Sequence, residues 1–185
     1  MIVIDKAVDA LKEGKVIAYP TEAVFGVGCD PDNEQALQAL IDLKQRDPEK
    51  GLILIAANFE QLLPYVDISE LSKEQMDTVF ESWPGPVTWV MPVSKKTHQL
   101  VHGQFDSVAV RVTDHPLVQQ ICIKLSKPIT STSANLSGMP PCLVAEEVER
   151  QLGSDPLFIV NGSVGNRTKP SEIKDAKSLQ VLRRG

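Results

Sequence analysis

Leu52–Ala57 reads LILIAA, an unbroken apolar run that decides the fold class. A short run of this kind is typical of a central strand that is buried on both faces of a sheet. Upstream, Glu34–Gln45 places its apolar residues along one face, which predicts an amphipathic helix. Downstream, Ser72 and Gln75 have the spacing of a capping box, which predicts a helix that continues to about Ser82.

The rest of the chain continues this alternation of strands and helices. A first helix is predicted to begin at Asp5 and to end at Gly14. Further strands are predicted at Lys15–Tyr19, Val87–Val93, Val108–Val112, Ile129–Thr132, Leu157–Val160 and Leu179–Leu182, and further helices at Pro116–Leu125 and Val144–Leu152. About seven strands and about five helices predict one α/β domain over residues 1–185.

Two segments are predicted to lack regular structure. Pro20–Asn33 is expected to be a long loop, and Asn161–Ser171 a flexible linker before the last strand, because both are rich in Gly, Pro, Asn and Asp. The break at Trp83–Pro86 and the hairpin-like segment 87–112 predict some antiparallel pairing. We therefore do not expect a purely doubly wound parallel sheet.

Composition excludes several classes of protein. The chain has 185 residues, is 42% hydrophobic and carries a net charge of −5, which argues against a dedicated nucleic-acid coat protein. The run Gly51–Ala57 is far shorter than the ~20 apolar residues that span a bilayer. The N-terminus has acidic residues and no apolar signal region, so we expect a cytoplasmic protein with no membrane contact. Three cysteines without CxxC spacing predict a reducing compartment and no structural zinc.

Common catalytic motifs are absent or weak. The sequence has no P-loop, no dinucleotide-binding glycine fingerprint and no nucleophile elbow. Ser171 and Lys174 match S-x-x-K, but the partner motifs of a serine–lysine nucleophile are missing. His98 and His102 are four residues apart without the glutamate of a zinc protease, so we interpret both as solvated. Cys29 lies among glycines and has no histidine near it in sequence, so we interpret it as a packed or incidentally exposed residue rather than a reactive thiol.

Four loops hold most of the polar residues that are suited to binding or catalysis: Tyr19–Gly28, Lys44–Gly51, Ser131–Gly138 and Asn161–Ser171. Each loop also has a purely structural interpretation. In the same order, these are a turn, cations that complement a helix C-terminus, a capped turn and a linker. Together they offer fixed cations and neutral hydrogen-bond donors without an evident nucleophile. This combination favours an anionic substrate processed by positioning and charge stabilisation, with phosphoryl or nucleotidyl transfer as the best match.

Seven segments resemble the YrdC family, the bacterial threonylcarbamoyl-AMP synthases of the TsaC type, in order and spacing. They are YPTEAVFGVGCD (19–30), LKQR (43–46), KGLILIA (50–56), WPGPVTWV (83–90), VAVRVTDHPLV (108–118), STSANLSG (131–138) and PSEIKD (170–175). The resemblance implies a twisted mixed parallel/antiparallel sheet with flanking helices and a concave cationic cleft. It also implies the conversion of L-threonine, bicarbonate and ATP to threonylcarbamoyl-adenylate and pyrophosphate, the first step of t6A modification of tRNA.

The resemblance also implies roles for individual residues. It places Lys44, Arg46 and Ser133 in catalysis, Thr21, Arg111 and Ser171 on threonine, and Lys44, Arg46, Lys50, Ser131, Ser133 and Asn135 on the nucleotide, with Thr88 as a wall. Mg²⁺ would arrive with ATP and be held by ATP oxygens and water rather than by protein side chains. The family often has proline directly after this arginine, whereas this chain has Asp47, whose carboxylate we expect to point away from the phosphates.

Partners follow from the same resemblance. We expect a monomer that delivers the adenylate to the proteins that complete t6A, with weak RNA binding through Lys44–Lys50 and residues 167–184. Two alternatives remain at this point. One is a factor for double-stranded RNA binding or ribosomal RNA maturation. The other is the YrdC-like part of a hydrogenase maturation protein, whose zinc-finger and acylphosphatase regions are not in this sequence.

Overall fold

A mixed sheet organises the protein. The structure is a computed structural model that describes residues 2–154 and 157–185. Its strands are β1 (Val16–Pro20), β2 (Phe25–Gly28), β3 (Ile53–Ala56), β4 (Val87–Pro92), β5 (Ser107–Val112), β6 (Ile129–Ser133), β7 (Leu157–Ile159), β8 (Glu172–Asp175) and β9 (Val181–Arg183). Within the described residues these strands form one sheet in the order β7-β1-β2-β6-β3-β5-β4-β8-β9. The pairs β1/β7, β3/β5 and β4/β8 are parallel, and the other neighbours are antiparallel.

Helices cover both faces of this sheet. They are α1 (Ile2–Lys12), α2 (Glu34–Lys44), α3 (Lys73–Glu81), α4 (Gln99–His102), α5 (Pro116–Leu125) and α6 (Ala145–Leu152), with short 3-10 turns at Pro48–Lys50, Leu63–Tyr65 and Ile68–Glu70. Side chains alternate between faces along a strand, so Val16 and Ala18 pack into one core with α2, whereas Ile17 and Tyr19 pack into a second core with α1 and α5. The α/β class with mixed pairing is confirmed.

The apolar run at residues 52–57 forms the centre of the sheet, as predicted. Strand β3 lies between β6 and β5, and it contributes Leu54 to one core and Ile55 to the other. The capping box is also confirmed, because the Ser72 hydroxyl accepts from the Gln75 N–H and the Gln75 side chain accepts from the Ser72 N–H. The antiparallel pairing predicted for segment 87–112 is confirmed as β4 against β5.

Other sequence predictions are wrong in instructive ways. Helix α1 begins at Ile2, so Asp5 lies in its first turn, where an acid favours the helix dipole, rather than at its cap. Residues 20–33 contain strand β2, which pairs with β1 as a hairpin. Residues 161–171 precede β8 rather than the last strand, and the last strand is Val181–Arg183 because Leu179 adopts a left-handed turn conformation.

Glycine explains why β2 escapes prediction from the sequence. A Cβ at Gly28 would lie 1.8 Å from the Thr130 carbonyl oxygen, so only glycine permits this approach of β2 to β6. The Thr130 hydroxyl accepts the Cys29 N–H at 2.8 Å just beyond this contact. Thr130 is fully buried, so its hydroxyl satisfies a donor that water does not reach.

We therefore expect Thr130→Val to lower the free energy of unfolding by about 1–3 kcal/mol, the typical cost of a buried donor without a partner. Denaturant unfolding measures this change. The control Thr130→Ser keeps the hydroxyl and removes one methyl group, so it should cost roughly 1 kcal/mol or less. Equal stability of the valine variant and the wild type would show that the Cys29 N–H does not depend on this hydroxyl.

Candidate active site

A cavity of about 740 Å³ lies against the sheet between the loop after β1, the segment after α2 and the C-terminal strands. Ligand sites of this size are common for small molecules and cofactors. Of the residues selected from the sequence, the cavity is lined by Thr21, Arg46, Lys50, Arg111, Ser131, Ser133 and Ser171. These residues come from positions 21 to 171 of the chain, so the fold brings together most of the expected site.

Three of the expected residues do not line the cavity, namely Lys44, Asn135 and Thr88, so the expectation that Thr88 forms a wall is wrong. The Lys44 ammonium group donates to the carbonyl oxygens of Ser133 and Asn135, the latter at 2.8 Å. The Asn135 side chain donates to the carbonyls of Leu136 and Met139 at 2.8 and 2.9 Å. Both side chains therefore shape the loop after β6, and the structure does not bring either of them into the cavity.

Burial lowers the pKa of the Lys44 ammonium group. The residue is only 3% exposed, and its burial together with the nearby Arg46 charge lowers the pKa of the Lys44 ammonium group to about 8. The charged form donates to both carbonyls. The Lys44 ammonium group thus joins helix α2 to the loop after β6. Its removal from water costs free energy, which the two hydrogen bonds offset.

Arg46 and Lys50 follow directly after α2. Gln45 ends the helix in a left-handed conformation, φ 50°, and so turns the chain towards the cavity. The Arg46 guanidinium group donates to the Gly51 carbonyl through Nε at 3.2 Å and Nη2 at 2.9 Å. Asp47 is exposed, its carboxylate accepts the Glu49 N–H, and it does not line the cavity, which agrees with the expectation that it points away from the phosphates.

The opposite part of the cavity contains a buried ion pair. Arg111 Nη1 lies 2.9 Å from Glu22 Oε2, and their side chains are 9% and 7% exposed. The Thr113 hydroxyl donates to Glu22 Oε1 at 2.7 Å. Burial by itself raises the pKa of Glu22, but Arg111 and the Thr113 hydroxyl outweigh it and hold this pKa below its ordinary value. Thr21 in the same loop donates its hydroxyl to the Val24 carbonyl at 2.7 Å.

The C-terminal strands supply another wall. Ser171 accepts a hydrogen bond from the buried Thr88 hydroxyl at 2.9 Å, which connects β4 to the segment before β8. Arg183 on β9 donates to the Ser171 carbonyl at 2.9 Å and also lines the cavity. Arg167 and Lys169 line it as well.

Sequence reasoning missed several of these residues. Glu22 lies in the loop Tyr19–Gly28, but its ion-pair partner Arg111 is remote in sequence, so residue spacing does not reveal the pair. Arg183 belongs to the locally basic segment 167–184, and this local excess of cations is the sequence feature that points to it. The interpretation of His98 and His102 as two solvated histidines is wrong. Both are partly buried: His98 accepts the Leu100 N–H at the start of α4, and His102 lines the cavity.

Within the described residues, no group of three or more His, Cys, Asp and Glu side chains is arranged to hold a metal ion. The two cavity carboxylates already have partners. Glu22 contacts Arg111, and Asp175 accepts the Ser178 N–H at 2.6 Å.

For residues 2–154 and 157–185, none of the helices has the length and apolar character needed to cross a membrane. Cys29 is buried, which agrees with packing rather than incidental exposure.

Comparison with known proteins identifies the family. A family model described as "Sua5_yciO_yrdC: Telomere recombination" matches residues 9–185. The chain belongs to the Sua5/YciO/YrdC family. A protein of Vibrio parahaemolyticus named threonylcarbamoyl-AMP synthase is 63% identical over 181 residues, which cover 98% of each chain. A protein of Aliivibrio fischeri with the same name is 63% identical over 182 residues, again with 98% of each chain covered.

Solved structures of family members have the same fold. P. abyssi Sua5 in complex with L-threonine has a TM-score of 0.83 and 32% identity, with 93% of this chain and 50% of that chain covered. This chain thus spans about half the length of that protein. E. coli YciO has a TM-score of 0.85 and 24% identity over 100% of this chain and 89% of its own, which is a likeness of fold.

The buried Lys44 makes stability depend on pH. Its folded-state pKa of about 8 lies below its ordinary value of 10.5, so between these values the unfolded chain binds more protons. The free energy of unfolding of the wild type, taken relative to Lys44→Met, should therefore rise as the pH is raised through this window. Denaturant unfolding of both proteins at several pH values measures the difference.

Lys12→Met is the matched control, because Lys12 is exposed near the end of α1. The stability difference between this variant and the wild type should change little over the same pH range. A pH-independent difference between the wild type and Lys44→Met would show that Lys44 titrates alike in the folded and unfolded chains.

Proposed function

We propose that this protein is a threonylcarbamoyl-AMP synthase, which converts L-threonine, bicarbonate and ATP to threonylcarbamoyl-adenylate and pyrophosphate in the first step of t6A formation. The observation that carries the proposal is one cavity that is lined by the cations Arg46, Lys50 and Arg111 together with the hydroxyls of Ser131 and Ser133. The names of relatives that align with almost the whole chain support the same activity. A nucleotide and an amino acid together need several such anion-binding groups in one enclosed space.

The nucleotide is proposed to bind against the segment after α2 and the end of β6. Arg46 and Lys50 would contact the phosphates, and the hydroxyls of Ser131 and Ser133 would donate to phosphate oxygens. Lys44 and Asn135 lie outside the cavity, and their hydrogen bonds to backbone carbonyls fix the segment that carries Ser133. Charge-assisted hydrogen bonds of this type are stronger than neutral ones, and fixed donors stabilise the charge that develops at phosphorus.

Threonine is proposed to bind at the Arg111 side of the cavity, with Thr21 and Ser171 as further contacts. The amine nitrogen forms a bond to the carbon of bicarbonate and the bond from that carbon to the hydroxyl oxygen breaks, so the ammonium form of threonine gives a carbamate, one water and one proton. A carbamate oxygen then attacks the α-phosphorus of ATP, the bond to the β-phosphate oxygen breaks, and pyrophosphate leaves. No protein nucleophile takes part, so catalysis consists of positioning and charge stabilisation.

Mg²⁺ is proposed to enter as part of the MgATP substrate. The carboxylates that line the cavity are Glu22 and Asp175 among the described residues, and both are engaged in protein contacts. Phosphate oxygens and water are the ligands that Mg²⁺ prefers under such conditions, and the ion neutralises charge on the leaving pyrophosphate.

We also propose that residues 1–185 act as one unit, as a cytoplasmic monomer that passes the adenylate to the proteins that complete t6A. Strands from both ends of the described chain lie in one sheet, which supports a single unit. Weak RNA binding remains a prediction. Lys44 is buried, whereas Arg46, Lys50 and Arg183 line the cavity, so these cations favour a small anionic ligand over an extended duplex.

Pyrophosphate release tests the proposed reaction. We expect release only when ATP, threonine and bicarbonate are all present, because the attacking group is the carbamate made from the last two. Arg46→Gln should lower kcat/KM for ATP by about tenfold or more, since it removes a charge-assisted contact worth roughly 1.5–3 kcal/mol. A coupled phosphate assay with each substrate omitted in turn measures both effects.

Arg150→Gln is the matched control, because Arg150 is exposed on α6 and does not line the cavity. This variant should have wild-type kinetics. Equal pyrophosphate release without threonine would identify a plain ATP-hydrolysing enzyme and refute the assignment. Wild-type kinetics in folded Arg46→Gln would remove Arg46 from the nucleotide site.

A further inference from the structure

The cations of the cavity differ in their counter-charges. Arg111 is paired with the Glu22 carboxylate, whereas Arg46 makes no ion pair among the described residues and donates to a neutral carbonyl. Lys50 is exposed at the cavity wall and has no ion pair within the same described part of the chain. The Arg111 charge is therefore neutralised by a buried carboxylate, whereas no cavity-lining carboxylate is ion-paired with Arg46 or Lys50 among the described residues.

Glu22 is fixed in its position by hydrogen bonds to its side chain and to its backbone carbonyl. Its Oε1 accepts the hydroxyl of Thr113, which is fully buried, and its backbone carbonyl accepts the Arg167 N–H at 3.1 Å. Thr113 follows the end of β5 and stands two residues after Arg111, so both side chains leave the chain on the same face. Glu22 is thus held between a buried hydroxyl and the guanidinium group.

The buried atoms of this pair do not face a ligand. Glu22 Oε2 and Arg111 Nε are both enclosed by protein and lack a geometrically good hydrogen bond, although Oε2 lies in ion-pair contact with Nη1. Glu22 therefore holds Arg111 through the Nη1 contact, and both residues line the cavity. With Nη1 on Glu22 and Nε enclosed, Nη2 is the Arg111 nitrogen that remains for a substrate.

We propose that Glu22 is a positioning residue that reserves Arg111 for the carboxylate of the amino-acid substrate and keeps the triphosphate away from it. This inference rests on the proposed function. An unpaired arginine in an ATP-binding cavity attracts the most highly charged anion present, which is the triphosphate. Pairing with Glu22 cancels most of that attraction at long range, yet leaves a rigid planar donor for a carboxylate at close range.

Charge then sorts the two substrates before any contact forms. The triphosphate, which carries several negative charges, is drawn to Arg46 and Lys50. The threonine zwitterion, which has no net charge, meets a paired site that also has no net charge. This division prevents ATP from occupying the threonine site when its concentration exceeds that of the amino acid.

The test uses Glu22→Gln, which keeps the size of the side chain and removes its charge. We expect the KM for threonine to rise about tenfold and the KM for ATP to change less than twofold. Inorganic tripolyphosphate is the diagnostic probe. It should compete only with ATP in the wild type, and it should also compete with threonine in Glu22→Gln, because Arg111 is then an unpaired cation.

Two further variants keep the test decisive if Glu22→Gln fails to fold. Thr113→Val removes the hydroxyl that holds Glu22 and should produce the same two changes in weaker form. Glu22→Asp retains the charge and should leave tripolyphosphate non-competitive with threonine. A merely structural role would lower the melting temperature and raise both KM values alike, without a new competition by tripolyphosphate, and that outcome overturns the proposal.

The wild-type protein separates this proposal from the proposed function. If the wild type releases no pyrophosphate with threonine, bicarbonate and ATP, the synthase assignment fails. If the wild type is active but Glu22→Gln and Thr113→Val show no selective change in threonine KM, the positioning role fails and the assignment stands.

Discussion

A buried ammonium group holds the candidate site together. Lys44 lies at the end of α2 and donates to the carbonyl oxygens of Ser133 and Asn135, which belong to the loop after β6. An ammonium group removed from water needs such acceptors, because the desolvation of an isolated charge is very costly. The contact therefore fixes the distance between two segments that are remote in sequence, and Arg46 and Ser133 reach one cavity as a result.

The sheet makes this contact reachable. Strand β6 lies between β2 and β3, so the loop that follows it emerges at the middle of the sheet. Gly28 allows β2 to approach β6 closely, and the hairpin of β1 and β2 in turn carries Thr21 and Glu22 towards β5. A local requirement for glycine in one strand thus determines where the Arg111 partner stands.

The sequence predicts the features that depend on local patterns and misses those that depend on distant contacts. The run at 52–57 is apolar because both faces of β3 are covered, and periodicity reveals this. Strand β2 is missed because Gly26 and Gly28 resemble turn residues, whereas Gly28 permits the close approach of β2 to β6. The role of Lys44 is also hidden, since a lysine at a helix end normally extends into solvent and only the folded chain shows the two carbonyls.

Local patterns also indicate which loops form the cavity. Hydroxyl-rich and cation-rich loops that follow strands and helices do meet at one cavity, as the sequence suggests. The ion pair between Glu22 and Arg111 joins residues that no spacing rule connects, and the fold alone reveals it. The neutralisation of the Arg111 charge by Glu22 therefore emerges only from three-dimensional contacts.

The most direct measurement is a crystal structure of the protein with L-threonine and a non-hydrolysable ATP analogue. The account predicts that the phosphates lie within hydrogen-bond distance of Arg46 and Ser133, that the threonine carboxylate lies on Arg111, and that Glu22 keeps its contact with Arg111. A triphosphate bound on Arg111, or a nucleotide bound outside this cavity, would contradict it.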